Sequence, residues 1–303
     1  MAIDVRIMQT RKNKEPMPLR VILGNDLLYG TYDDHWRLKP GEMDEDEFLA
    51  YIPLQIGRGI TVEWSEKELF SIRLRILTPS TPSELRVFYE TVERVADYWE
   101  ADEIEVDGRF TGLYNFLDGY KKTLAVNQKS LKDMARSVIS GRNSELTFFC
   151  AIWPLVMGKA EAEAFIAEPS YFAKWLHSKQ NMKAYYGTPA FYKAENLILG
   201  RYALPDGALS ILPTRAYVPY GYNDPETDEL LKCDDFGILM YDSKECEILG
   251  EIPYDEFVAN IKKKFPKRIK PFDGNHFVLE KLDVEEMRQL LEEEAKCCDK
   301  DKP

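Results

Sequence analysis

The clearest pattern of apolar and polar residues in this chain predicts a strand followed by a capped helix, between Ser71 and Trp99. In the segment SIRLRIL apolar residues alternate with arginines, which is the period of a strand with one buried face. Thr81, with Pro82 after it and Glu84 three residues on, predicts a capping box at a helix start. The helix then carries one apolar stripe, made of Leu85, Phe88, Val92, Val95 and Trp99.

The rest of the chain shows shorter segments with the apolar periodicity of strands or of helices. Residues 19–32 have strand-like composition broken by two glycines, and the acidic segment MDEDEFLAYI (43–52) is predicted to form a short helix. The fold class that follows is α+β, with mostly antiparallel sheets and flanking helices. The predicted boundaries give an N-terminal α+β module at 1–101, a more helical middle region at 102–204, a C-terminal α+β module at 205–298 and a frayed tail at 299–303.

An internal similarity links the two ends of the chain. Residues 25–52 align without a gap on residues 234–261, and ten of the 28 aligned positions are identical. Average residue usage would give about two identities. Two explanations remain open: a duplicated α+β module with the middle region inserted between the copies, or a coincidence in an acid-rich sequence.

The net charge indicates which classes of partner the protein can bind, and its cysteines indicate its cellular compartment. The 303 residues carry a net charge of −12, so we expect no nucleic-acid partner and no binding to anionic membranes. No stretch approaches the roughly 20 apolar residues of a membrane span. Five cysteines without a CxxC pattern favour reduced thiols and a cytoplasmic protein. The basic segment KKKFPKRIK (262–270) either balances the acidic final helix or contacts an acidic partner.

Few residues suggest chemistry. Asp33 and His35 could cooperate from one face of a strand, with Arg58 or with Asp242 from the matching run, but a solvated turn is the simpler explanation of the first two. The triplet Gly57–Gly59 resembles a fragment of a phosphate loop without the required spacing, so a tight turn is expected there. His276 stands isolated in the sequence. We predict no metal and no cofactor.

Tyrosines form the most suggestive group for binding. Their rings are rigid and apolar with a polar tip, which suits protein interfaces. Prolines and glycines place several of them on irregular backbone. The alternative is that these tyrosines pack at a sheet margin. The candidate binding residues are Tyr185, Tyr186, Tyr217, Tyr220 and Tyr222.

The order of several segments resembles a known family. These segments are GRGITVEW, IRLRILTPSTPSELRVF, NMKAYYGTPAFY, GRYALPDGALSILPTRAYVPY, GEIPYDEFVANI and FDGNHFVLEKL. Together they are similar to the bacterial DUF4299 family, a domain of unknown function, from about residue 19 to 291. The resemblance implies a bacterial, cytoplasmic setting, and it brings no activity and no catalytic residue.

Two functional hypotheses follow. The first is a noncatalytic binding protein that contacts a protein partner through the tyrosine-rich surface. The second is a hydrolase-like enzyme with a cleft between the duplicated modules, since ligand sites prefer such positions. A flat exposed tyrosine patch would favour the first hypothesis, and convergent carboxylates in a concave site would favour the second.

Overall fold

The computed structural model describes residues 2–12, 14–33, 37–44, 46–64, 70–224 and 227–298, with side chains as far as residue 292. The chain divides into two compact units, which we call unit 1 (Met1–Met182) and unit 2 (Lys183–Pro303). Helices and mostly antiparallel sheets make an α+β fold, as predicted. The predicted tail at 299–303 lies outside the described residues.

Unit 1 is built on one sheet of eight strands. Their order across the sheet is β3-β2-β4-β5-β6-β1-β7-β8, and every described pair is antiparallel. The strands are β1 (Ala2–Met8), β2 (Leu28–Tyr32), β3 (Leu38–Pro40), β4 (Glu47–Tyr51), β5 (Ile60–Glu63), β6 (Ser71–Leu77), β7 (Glu103–Val106) and β8 (Arg109–Gly112).

Helices and a small hairpin complete unit 1. The helices are α1 (Leu19–Leu23), α2 (Pro82–Trp99), α3 (Leu113–Asp118), α4 (Tyr120–Ile139), α5 (Lys159–Ala167) and α6 (Tyr171–Gln180). The hairpin pairs β9 (Leu146–Phe148) with β10 (Leu155–Met157). The predicted strand and helix at 71–99 are confirmed as β6 and α2, with the capping box of Thr81 and Glu84 in place. All five stripe residues of α2 are fully buried, and each such burial stabilises by about 1.5–3 kcal/mol.

Unit 2 contains two four-stranded sheets. One has the order β11-β14-β18-β17 and the other β12-β13-β15-β16; the β11–β14 and β13–β15 pairs are parallel. The strands are β11 (Tyr185–Tyr186), β12 (Ala190–Ala194), β13 (Leu197–Pro205), β14 (Ser210–Pro213), β15 (Asp235–Asp242), β16 (Glu247–Pro253), β17 (Ile269–Pro271) and β18 (His276–Leu279). The helices are α7 (Tyr254–Lys264) and α8 (Val284–Cys298). A short 3-10 turn at Pro266–Arg268 joins α7 to β17, and α8 follows β18.

Two local predictions are wrong. Residues 47–51 form strand β4 rather than a helix, and residues 19–23 form helix α1 rather than a strand. In the first case β4 is inserted between β2 and β5, where sheet pairing outweighs the weak intrinsic preference of a short acidic segment.

The division of the chain also differs from the predicted boundaries at 101 and 204. β7 pairs with β1, so the strand that follows α2 belongs to the sheet of unit 1. β12 and β13 pair with each other, and β13 pairs with β15, so residues 190–205 belong to unit 2. Long-range strand pairing decides both assignments, and no local composition shift marks them.

The two runs that align in sequence share an antiparallel hairpin, β2–β3 in one and β15–β16 in the other, and differ after it. Residues 47–51 form a strand, whereas the matching residues 256–260 lie inside helix α7. Phe48 and Phe257 are both buried, but one ring projects from a sheet and the other from a helix. A duplicated module is therefore not shown by the fold.

Within the described ranges, none of the helices combines the length and the apolar character that crossing a membrane requires.

Candidate functional site

Four side chains of unit 2 form a hydrogen-bonded group, which we call the His276 network: Asp273, His276, Tyr186 and Tyr217. His276 Nδ1 lies 2.9 Å from Asp273 Oδ1. His276 Nε2 lies 3.1 Å from the hydroxyl of Tyr186 and 3.2 Å from the hydroxyl of Tyr217. His276 is 2% exposed, and Asp273 is buried beside it. The network therefore joins three separate segments of unit 2.

The network lies where β18 begins. Asp273 Oδ1 also accepts the amide hydrogens of Asn275 and His276, at 2.9 and 2.8 Å, so the carboxylate closes a tight turn. His276 is the first residue of β18 and lies opposite Pro213 of β14. β11 carries Tyr186 along the other edge of β14. The short sheet thus brings the imidazole and this hydroxyl together.

Hydrogen-bonding capacity assigns the protons of the network. A carboxylate can accept hydrogen bonds but cannot donate them. His276 Nδ1 therefore carries the hydrogen that is donated to Asp273. The one lone pair of Nε2 accepts a single tyrosine hydroxyl, and the hydroxyls of Tyr186 and Tyr217 also hydrogen-bond to each other. A hydroxyl of the same chain on Nε2 also occurs where a base activates a nucleophile, but His276 is 2% exposed and is poorly placed to meet a substrate. The arrangement therefore suits positioning better than proton abstraction.

Tyr217 is held by its main chain as well as by its hydroxyl. Tyr202, a buried residue of β13, donates its hydroxyl to Tyr217 O at 3.1 Å and accepts the Tyr217 amide at 3.3 Å. Burial raises the pKa of the Tyr202 and Tyr186 hydroxyls, and the neighbouring Tyr217 and Asp273 raise the pKa of Tyr186 further. Both hydroxyls thus stay protonated at neutral pH and remain hydrogen-bond donors.

Tyr220 lies at the apex of a β-turn that follows this anchored residue. The amide of Tyr222 donates to Pro219 O at 3.3 Å, and Gly221 has a φ of 92°. A positive φ at the third position is typical of type II turns, where glycine adopts the conformation without steric cost. The side chain of Tyr220 is consequently presented outward, and the residue is 76% exposed.

Tyr222, at the end of the turn, also contacts the body of unit 2. The ring of Tyr222 packs against Phe191 of β12, with a centroid distance of 5.3 Å. The amide of Leu231 donates to Tyr222 O at 2.9 Å and closes the loop that leads towards β15. Tyr220 is thus flanked by Tyr217 on one side and Tyr222 on the other, both in contact with the folded body of unit 2.

The five tyrosines predicted as a binding surface have different environments. Two of them belong to the His276 network, and Tyr222 packs on a neighbouring aromatic ring. Tyr185 is half-buried in β11. Tyr220 is exposed, whereas the other four are half-buried. The surface available to a partner is therefore narrower than the sequence suggested, and it is centred on the turn.

Arg58, a candidate catalytic residue, belongs to a second buried polar group, in unit 1. Its guanidinium donates to main-chain oxygens, Nε to Phe149 O at 2.9 Å and Nη1 to Pro79 O at 3.1 Å. Burial lowers the pKa of this guanidinium, and the nearby Cys150 and Glu84 offset part of that effect. The side chain connects segments of the scaffold, and at 8% exposure little of it is accessible to a ligand.

The amides around Arg58 bind a carboxylate, in a group that we call the Glu84 cradle (Gly57, Arg58, Gly59, Thr81 and Glu84). Glu84, 3% exposed, accepts the amides of Arg58, Gly59 at 2.8 Å and Thr81 at 2.9 Å. A Cβ on Gly57 would lie 2.5 Å from the carboxylate, so only glycine allows this approach. Gly57–Gly59 does bind an anion, as a phosphate loop would, but the anion is a side chain of the same chain.

Two further catalytic candidates, Asp33 and Asp242, accept main-chain amides. Asp33 Oδ1 accepts the amide of Arg37 at 2.9 Å before β3. Asp242 Oδ1 accepts two amides of the turn between β15 and β16, each at 3.0 Å. His35 lies outside the described residues. Asp33 and Arg58 belong to unit 1 and Asp242 to unit 2.

Sequence reasoning treated His276 as isolated and missed the roles of Asp273 and Tyr202. A local signal was present, because the spacing Asp-Gly-Asn-His is typical of a turn in which the first side chain bonds the amides that follow. No local pattern could supply the tyrosines. Tyr217 and Tyr186 lie 59 and 90 residues away from His276 in the chain.

Comparisons with known proteins identify a family and no activity. No curated protein and no solved structure matches the chain. A family model for DUF4299, described as a domain of unknown function, matches residues 2–290. Because this match covers nearly the whole chain, the protein belongs to the DUF4299 family.

Proposed function

We propose that the protein is a noncatalytic binding protein and that unit 2 contacts a protein partner through Tyr220 and the turn around it. One observation carries the proposal. Tyr220 is 76% exposed at the apex of a hydrogen-bonded turn whose two sides are anchored to the body of unit 2. The chain thus holds a large aromatic side chain outward in one place.

The physics of interfaces supports this choice. Tyrosine is enriched among the few residues that supply most binding energy, since it buries a large ring and offers a hydroxyl. A turn that is already ordered loses less conformational entropy on binding, so more of the contact energy appears as affinity. The His276 network orders one side of this turn, because Tyr217 is bonded through both its hydroxyl and its main chain.

The alternative, a hydrolase-like enzyme, has less support. Its candidate side chains Asp33, Arg58 and Asp242 are engaged with main-chain groups of their own units. His276, which has the partners of an acid–base residue, is buried and receives its hydrogen bonds from the same chain. We therefore favour binding.

We also propose a bacterial cytoplasmic setting, which the family resemblance implies. Among the described residues Cys150, Cys233 and Cys246 carry reduced thiols, a state that a reducing compartment maintains.

Site-specific photocrosslinking tests the proposal. A benzoylphenylalanine replaces Tyr220 in one variant and Tyr114 in the other, and both are irradiated in cells of the source organism. Tyr114 is the matched control, because it is 80% exposed but lies in unit 1. We expect a discrete crosslinked protein from position 220 that is missing from position 114, identified by mass spectrometry.

Binding by purified components completes the test. The crosslinked protein should bind the unmodified chain directly. No adduct from position 220, or the same adducts from both positions, would contradict the proposed function.

A further inference from the structure

β12 (Ala190–Ala194) is an edge strand of the second sheet of unit 2. It pairs with β13 on one side, and no strand of the described residues pairs with its other side. An edge strand presents main-chain amides and carbonyls with which a further strand can pair. Tyr192, Lys193 and Ala194 are exposed, so this edge is accessible from solvent.

The register with β13 decides which main-chain groups of β12 face outward. Opposite residues of an antiparallel pair alternate between hydrogen-bonded and non-hydrogen-bonded pairs. Ile198 of β13 directs its main chain away from β12, because its carbonyl accepts the amide of Asp234 at 2.8 Å and its amide donates to Asp234 Oδ2 at 2.7 Å. Lys193 lies opposite Ile198, so Lys193 and, two residues earlier, Phe191 are in non-hydrogen-bonded pairs. Their amides and carbonyls therefore point to the free edge, and among the described residues no other main-chain group bonds to them.

The other edge strands of the described sheets are shorter or better protected against pairing. β11 has two residues and β8 has four, and β3 and β17 each have three, of which the last is a proline. β16 carries Glu247 and Glu251 and a register shift in its pairing with β15. Short strands, prolines, charges and such irregularities are the usual means of preventing unwanted strand pairing. β12 has one charge, on Lys193, and its five residues pair with β13 without a shift.

The free edge of β12 lies beside the turn of the proposed binding site. The ring of Phe191 contacts the ring of Tyr222, the last residue of that turn, at a centroid distance of 5.3 Å. Tyr192, the next residue of β12, points to the opposite side of the sheet and is 54% exposed. Side chains of a strand added to this edge would also alternate between the two sides. One set would face Tyr222 and the turn that presents Tyr220, and the other set would face Tyr192.

The chain next to this edge is strongly acidic. Residues 221–235, which lead from the turn to β15, contain six acidic residues and one lysine, which give a net charge of −5. Both ends of this segment contact the neighbouring strands, Tyr222 through Phe191 of β12 and Asp234 through Ile198 of β13. Complementary charge steers a partner to its site and excludes partners of like charge, so the segment that fits here carries lysine or arginine.

We propose that the free edge of β12 binds an extended segment of the protein partner, with apolar and basic side chains, as an added β-strand. The inference rests on the proposed function, since it states what kind of segment the turn of Tyr220 would contact. Phe191 and Lys193 offer two amides and two carbonyls to this segment. A helical segment could not use these groups, because its own main chain is already hydrogen-bonded. In strand addition the main-chain bonds supply affinity and the alternating side chains supply specificity.

A phage-displayed library of random peptides of about 12 residues, enough for one strand, tests the inference by selection on the full chain. We expect the enriched peptides to combine apolar residues with lysine or arginine. Lys193→Pro removes an outward amide and leaves the pairing with β13 in place, and Lys193→Ala is the matched control that loses the same side chain but keeps the amide. Synthetic copies of the enriched peptides should bind Lys193→Ala at least as tightly as the wild type, and Lys193→Pro at least about tenfold more weakly.

Hydrogen exchange provides a second measurement, which decides the matter if circular dichroism shows that Lys193→Pro is unfolded. Exchange at the amides of Phe191 and Lys193 should slow when a peptide binds to the wild type, because both amides become hydrogen-bonded. Unchanged exchange at these two amides overturns the inference. A library that yields no enriched peptide overturns it as well.

Tyr220→Ala separates this inference from the proposed function. Peptides that lose affinity in Lys193→Pro but not in Tyr220→Ala support the edge of β12 and contradict the role of Tyr220. Peptides that lose affinity in Tyr220→Ala but bind equally to Lys193→Pro and Lys193→Ala overturn the edge and leave the proposed function in place. Loss in both variants supports the two together.

Discussion

Each unit of this protein buries a carboxylate against the amides of a tight turn, but the two carboxylates differ in the other groups that they bind. Glu84 of unit 1 accepts three main-chain amides, from two parts of the scaffold. Asp273 of unit 2 accepts two amides and then the imidazole of His276, which is bonded in turn to two tyrosine hydroxyls.

The difference separates a structural role from a positioning role. The three hydrogen bonds that Glu84 accepts all come from the backbone that it joins, so the site determines how β5, α2 and the intervening turns pack. The interactions of Asp273 continue through side chains to Tyr217, three residues before the exposed Tyr220. A buried carboxylate thereby determines where a surface residue lies.

The largest expected effect comes from Glu84→Ala. It leaves three buried amides without an acceptor, and we expect the free energy of unfolding to fall by about 3–5 kcal/mol. Asp283→Ala provides the comparison, since Asp283 caps α8 in a similar capping box without a cradle and should cost only about 1 kcal/mol. Urea unfolding measures both. Equal losses for the two variants would show that the cradle adds nothing to the cap.

His276→Phe should have the next largest effect. An aromatic ring is kept, but Asp273 loses its imidazole partner and one tyrosine hydroxyl loses its acceptor, so we expect a loss of about 2–4 kcal/mol. Hydrogen exchange should accelerate at residues 214–222, while amides of α2 in unit 1 keep their protection. Unchanged exchange at 214–222 would contradict the positioning role.

The pH dependence of stability sharpens the comparison further. Because burial raises the pKa of Tyr186 in the folded state, its neutral form stabilises the fold. That contribution is complete below the unfolded pKa of about 10 and is lost as the pH rises beyond it. When the pH rises from about 9 to above about 10, the free energy of unfolding should therefore fall less for Tyr186→Phe than for the wild type. Tyr114→Phe, at an exposed position, should follow the wild type in the same denaturation series.

Tyr217→Phe should have the smallest effect on stability. It removes one hydroxyl while the main-chain bonds to Tyr202 remain, so we expect a loss of about 1 kcal/mol. Faster exchange should be confined to the turn at 218–222. A change that spreads through both units would mean that the hydroxyl supports the fold generally.

Local patterns in the sequence were sufficient for elements that are stabilised locally. The capping box of Thr81 and the stripe of α2 are encoded within 19 residues, and the capping box of Asp283 is encoded in four. The segment 43–52 was misassigned because its pairing partners in β2 and β5 decide its structure. Residues 256–260, which match 47–51, share three of these five residues and lie in a helix.

The candidate site could be predicted only in part. Tyrosines on irregular backbone were a visible signal, and the turn at Pro219–Tyr222 follows from its proline and glycine. The assignment of Tyr186 and Tyr217 to the surface could not be corrected from sequence, because their bonds to His276 depend on the strand order β11-β14-β18. Only the folded sheet shows which hydroxyls point inward.

The most direct test of the account is the affinity of the chain for the protein crosslinked at position 220, measured by isothermal titration. We compare the wild type with Tyr220→Ala and with the exposed control Tyr114→Ala. The account predicts that Tyr220→Ala weakens binding at least about tenfold while Tyr114→Ala binds like the wild type. A Tyr220→Ala chain that is folded and binds as tightly as the wild type would contradict it.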